Sequence, residues 1–129
     1  MTKNFILQVP PYPVEVMVSI NETNDQLIRK VKRWLLNERT KLSFVESIEQ
    51  DDVKEIGGVV YDCAGCGTFV LRISDPIKSA ESHGCLAHEI FHVVEKVADH
   101  IGMKHCSGSS EAFAYMISYL TENIYKRLK

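Results

Sequence analysis

From roughly Ser79 to Ile101 the chain has no proline and a single early glycine, and its apolar residues fall at Leu86, Ile90, Val93, Val94, Val97 and Ile101. Recurrence every three or four residues is the signature of one face of an α-helix, so this stretch predicts a long helix that Gly102 terminates. A helix of that length is stable in water only if its apolar stripe is covered, so the remaining elements have to pack against it.

Those elements are legible in part. Val14, Val16, Val18 and Ile20 alternate with Glu15, Met17 and Ser19, the period of a half-buried strand, directly after Pro10, Pro11 and Pro13. Thr23 and Gln26 form a capping-box pair, and Leu27, Ile28, Val31, Trp34 and Leu35 then predict a helix from about Asn24 to Asn37. Arg29, Lys30, Lys32 and Arg33 interleave with those apolar positions and read as its solvated face. Between Leu42 and Ile56 the pattern is open, with Ser43 and Glu46 offering the cap of a short helix. After Gly57-Gly58, the runs Val59 to Tyr61 and Thr68 to Ser74 flank the turn Cys63-Ala64-Gly65-Cys66-Gly67 and predict a hairpin that Asp75-Pro76 ends. The serines of Ser107-Gly108-Ser109-Ser110 offer N-caps for a last helix through Phe113, Tyr115, Met116, Ile117, Leu120 and Ile124. The order strand, helix, hairpin, helix, helix predicts an α+β fold: a small mixed sheet, formed by the N-terminal strand plus the hairpin, packed on helices. With no linker-like segment or repeat, residues 1–129 read as one domain.

Composition narrows the function. At 45% apolar and 25% charged residues the chain is too hydrophobic for a disordered protein. Fifteen Lys plus Arg against seventeen Asp plus Glu leave no basic field for nucleic acid. No run is long enough to span a membrane, and the N-terminal apolar stretch is too short for a signal peptide, so the expected setting is cytoplasmic.

The predicted long helix contains His88-Glu89-Ile90-Phe91-His92. Histidines four positions apart leave the same helix face about 6 Å apart and can reach one metal ion. Zinc in a catalytic site needs a third protein ligand and an open position, where it lowers the pKa of water to about 7; Glu89 beside that position is placed to take the proton. This is the chemistry of peptide-bond hydrolysis. Asp99 and His100 lie about 10 to 12 Å beyond His92 on a continuous helix and are too far to complete the set. Glu111 is different, because the chain reverses at Gly102 and the next helix opens with it, eighteen residues separating it from His92.

His88, Glu89, His92 and Glu111, with the run Glu111-Ala112-Phe113-Ala114-Tyr115, resemble the gluzincin branch of zinc metallopeptidases, whose aminopeptidases carry an E-G-F-A segment around the third ligand. The resemblance implies a zincin-like fold, zinc on His88, His92 and Glu111, and Glu89 as general base. It also implies a peptide or protein substrate held in extended form on an edge strand, with Thr68 to Ser74 where that strand should lie. Ala112 stands where the aminopeptidases usually have glycine, and no N-terminal amine-binding signature accompanies it. The oxyanion donor of larger relatives has to be local in this chain: Tyr115 and Tyr119 share the face of Glu111, and His105 lies in the preceding loop. Thermolysin-like relatives place an aspartate where this chain has Tyr115.

Two other readings use the same residues differently. A zincin scaffold with little wall around its cleft suits a non-catalytic peptide-binding regulator. Alternatively, Cys63-Ala64-Gly65-Cys66-Gly67 has the form of a zinc knuckle, which Cys85, His83, Cys106 or His105 would complete as a structural site. Cys85, three residues before His88, also offers a thiolate to the ion held by the histidines.

Overall fold

The computed structural model describes residues 1–63 and 65–129, the side chain of Val53 excepted; Ala64, within the turn read between the hairpin strands, lies outside the described residues. Among the described residues, four strands and five α-helices follow in the order β1 (Lys3–Gln8), β2 (Glu15–Ile20), α1 (Asn24–Trp34), α2 (Glu38–Gln50), α3 (Val53–Ile56), β3 (Gly58–Asp62), β4 (Thr68–Ile73), α4 (Ala80–His100) and α5 (Ser110–Leu128). The strands form one sheet in the order β1-β2-β4-β3. β2 and β4 run parallel at its centre, and β1 and β3 are antiparallel edges. The fold is therefore α+β with a small mixed sheet. No helix among the described residues is long and apolar enough to cross a membrane.

Alternation along the central strands sorts the core into two layers. Val16, Val18, Ile20, Phe69, Leu71 and Ile73 face α4 and α5 and meet Leu86, Ile90, Val93, Met116 and Leu120. Met17 and Val70 face the other way and pack with Leu27, Val31, Phe44, Ile48 and Tyr61.

Several local outcomes differ from the sequence reading. β1 was not anticipated. Its contiguous Phe5-Ile6-Leu7 hides a period of two, in which Phe5 and Leu7 are buried and Ile6 stands exposed on an edge strand. α1 stops at Trp34 rather than Asn37, because Asn37 caps α2 by accepting a hydrogen bond from the Thr40 amide at 3.0 Å. That cap, not Ser43, starts the helix left open between Leu42 and Ile56. The run Thr68 to Ser74 is not an edge either: β4 pairs with β2 on one side and β3 on the other, and five of its six residues are buried. Pairing on both sides takes β4 out of the edge and helices cover both its faces, which leaves β3 as the edge strand beside α4.

α4 begins at the capping box of Ser79 and Ser82 and ends in a Schellman motif, with Met103 N–H donating to the Ala98 carbonyl at 2.8 Å and Gly102 at φ +78°. α5 returns antiparallel to it, placing Tyr125 near its end against His83 near the start of α4, rings stacked with centroids 5.6 Å apart. Ser109 does not cap α5 through its hydroxyl, which instead accepts from the Cys106 amide at 3.0 Å within the preceding turn.

Candidate metal centre

The helical spacing of His88 and His92 has the expected consequence. Their Nε2 atoms converge to 3.0 Å, with ring centroids 4.7 Å apart and ring planes at 75°. Two nitrogens on a tetrahedral zinc with bonds of 2.0–2.1 Å stand about 3.3 Å apart, so the donor pair fits such an ion closely. Both side chains are open to solvent, at 67% and 43% exposure. Glu95, three residues on, sets the orientation of the second ring: its Oε1 lies 2.9 Å from His92 Nδ1. With that nitrogen as donor, the Nε2 lone pair of His92 points at the shared position. A carboxylate in this role fixes the tautomer and raises the basicity of a ligand histidine. Sequence reasoning missed Glu95, although its i,i+3 spacing from His92 was a usable signal.

Glu89 projects from the same turn toward the sheet and is only 7% exposed. Its Oε2 lies 4.0 Å from His88 Nε2, and its stem packs against β3 so closely that a Cβ added to Gly58 would stand 2.9 Å from Glu89 Cγ and 3.0 Å from Cys85 Sγ. Burial raises the pKa of the carboxyl, while the two imidazoles pull it down. α4 is tied to the same edge further along by Lys96, whose Nζ donates to Asp62 Oδ2 at 3.3 Å. The structure thus brings together an imidazole pair, a sheltered carboxylate and the unpaired side of β3.

It does not bring Glu111 into that group. Glu111 is exposed in the first turn of α5, and among the described residues the carboxylates in contact with the imidazoles are those of Glu89 and Glu95. No three His, Cys, Asp or Glu among them gather into a metal-holding set. α4 runs eight residues past His92, about 12 Å, before the chain reverses, and α5 has to return over that distance. The three residues considered as oxyanion donors are engaged elsewhere. Tyr115 donates its hydroxyl to the Pro10 carbonyl at 3.2 Å and its ring lies 6.0 Å from that of Tyr119. Tyr119 is partly buried against the core, and His105 stacks on Phe113 at 4.5 Å.

The cysteines are free, with Cys63 and Cys66 together in the β3–β4 turn and Cys85 and Cys106 on other elements. Cys66 Sγ is held in the β3–β4 turn by the Cys63 carbonyl at 2.8 Å and Thr68 Oγ1 at 2.9 Å. Cys106 is exposed in the α4–α5 loop, where the hydrogen bond from Ser109 lowers its thiol pKa, and His83 is paired with the Tyr125 hydroxyl. Cys85 lies against the β3 backbone beside Glu89, and burial raises its thiol pKa. No protein family, curated protein or solved structure matched the chain when it was compared with them.

Proposed function

We propose that the chain is a zinc-dependent peptidase of zincin-like build, with His88 and His92 as ligands and Glu89 as general base. The observation that carries this reading is the convergence of the two Nε2 atoms beside a sheltered glutamate, next to a free antiparallel strand edge. Held by His88 and His92, a zinc ion would supply a Lewis acid and would lower the pKa of a bound water to about 7.

The protein's own groups perform the remaining tasks. Glu89 takes the proton of the attacking water and returns it to the leaving amine, and its burial among Gly58, Cys85 and His88 keeps it aimed between the rings and the strand. Glu95 holds His92 in the tautomer that presents Nε2. The outer edge of β3 offers backbone N–H and C=O groups on which an extended peptide adds as a further strand, bringing a scissile bond over Glu89. Glu111 is the proposed third donor on its sequence spacing from His92 alone; it stands apart from the two imidazoles in the structure, so zinc held by all three would require α5 to shift toward them.

Metal content per chain and turnover of a random peptide library test this reading together. The expectation is one zinc per wild-type chain, loss of the metal in His92→Ala, and weakened binding in Glu111→Ala. Glu89→Gln should keep zinc and fold while turnover drops by roughly 10²–10⁴-fold. Wild-type turnover in Glu89→Gln, or full zinc in His92→Ala, would refute the assignment. Zinc that depends on Cys63 instead of His88 would select the structural-zinc reading. The openness of the imidazoles favours a second reading, a peptide-binding regulator, which bound zinc and captured peptide without cleavage would select.

A further inference from the structure

We infer that the cleft floored by Cys85 receives one uncharged side chain of the peptide substrate beside the bond to be cut, and that Cys85 sets how large that side chain can be. This rests on the peptidase reading above. The cleft, of about 290 Å³, lies between Gly57 at the head of β3, the connection from Ser74 to Ser79, and the first turns of α4 as far as Cys85. Ile73, Ser74 and Ser82 are buried in its floor and Cys85 is half-buried there, so no charged group lies at depth; Asp75, Lys78 and Glu81 are exposed at the rim.

Continuity with the catalytic group places it. Cys85 and Glu89 are one helical turn apart and flank the same point on the strand, at 3.0 and 2.9 Å from the position a Cβ of Gly58 would take. The cleft therefore ends where Glu89 begins. Gly57 carries no side chain, and a Cβ there would meet only Cys85 Sγ, at 3.7 Å, so the space beside it stays open, whereas the space beside Gly58 is already taken by Glu89, Cys85 and Ile73. The Gly57 carbonyl already accepts from the Ser74 amide at 2.8 Å, which fixes the cleft's inner wall. An extended peptide on the outer edge of β3 sends alternate side chains to the face covered by α4. The one level with Gly57 meets this cleft, whose floor has room for a small or unbranched apolar group and no partner for a charged one.

The experiment uses the full zinc-loaded chain with hexapeptides that differ at one position next to the cleaved bond. Cys85→Ala deepens the floor, and the expected result is a shift of roughly tenfold in the ratio of kcat/KM for leucine over alanine at that position, with zinc content unchanged. In Glu89→Gln, alkylation of Cys85 by iodoacetamide should be slowed by a bound peptide with the preferred side chain and not by its glycine counterpart, with exposed Cys106 as internal reference. An unchanged ratio, or equal protection by both peptides, overturns the cleft assignment and leaves the peptidase reading standing. Absence of any cleavage by the zinc-loaded wild type overturns both.

Discussion

Gly58 and Glu89 occupy a space that one methyl group would fill: a Cβ at position 58 stands 2.9 Å from Glu89 Cγ and 3.1 Å from Ile73 Cδ1. The first neighbour is a side chain that can swing away and the second is wedged in the core. Gly58→Ala is therefore expected to displace the carboxylate from its shelter before it disturbs the sheet. Turnover should fall at least tenfold while zinc content holds, with a stability loss of about 1–3 kcal/mol from overpacking. Parallel turnover, metal and urea-unfolding measurements check this, and unimpaired turnover would mean that the close approach has no bearing on Glu89.

The bond between Glu95 and His92 makes a separate prediction. Glu95 is about half exposed, so its replacement leaves the core alone. Removing the partner of Nδ1 frees the ring to rotate and to exchange tautomers. Glu95→Ala should weaken zinc binding by about 10–100-fold, with Glu95→Gln intermediate, as measured by competition with a chelator at constant pH. Equal affinities in the three proteins would show that the carboxylate does not orient the ligand.

The elements read correctly from sequence are those whose pattern is local. Ser79 and Gly102 announce the ends of α4 through their own caps, and the two halves of the hairpin frame a turn rich in glycine. What escaped depended on partners distant in sequence. Nothing within Thr68 to Ile73 reveals that β2 will pair with it in parallel, so which hairpin strand becomes the edge is decided fifty residues away, at register pairs such as Val16 with Phe69. The candidate site divides in the same way. One turn of helix suffices to join His88, Glu89 and His92, whereas the position of Glu111 depends on how the chain reverses after Gly102 and where α5 settles.

Arg72 is fully buried on the face of the sheet that α1 and α2 cover, with Nη2 donating to the Glu22 carbonyl at 3.1 Å and Nη1 to the Tyr61 hydroxyl at 3.3 Å. Its Nε has no hydrogen-bond partner among the described residues. A cation enclosed with so few bonds carries a desolvation cost that an apolar side chain of similar length avoids. Arg72→Met is accordingly expected to fall within about 1 kcal/mol of wild type or above it in urea unfolding, while Arg72→Ala, which opens a cavity, should lose about 2–4 kcal/mol. A large loss in Arg72→Met would show that the guanidinium bonds outweigh its burial.

Tyr61 supplies a pH test of the same buried cluster. Its hydroxyl donates to Asp51 Oδ2 at 2.8 Å, and its pKa is pushed up from 10.0 to about 12, chiefly by burial and further by Asp51, against the opposing pull of Arg72. A pKa raised on folding means that the unfolded chain releases this proton first, so stability from the neutral phenol is complete below pH 10 and drains away as pH climbs toward 12. Two pKa units set the ceiling of that loss on the order of 2–3 kcal/mol. Tyr61→Phe should cost about 1–2 kcal/mol at neutral pH, where Asp51 loses its donor, and should lack this alkaline decline. The stability gap between the two proteins is then expected to narrow between pH 10 and pH 12 when unfolding is measured at matched ionic strength, because every other titrating group is common to both. A gap that stayed constant across that interval would mean that the phenol of Tyr61 ionises alike in the folded and unfolded chains.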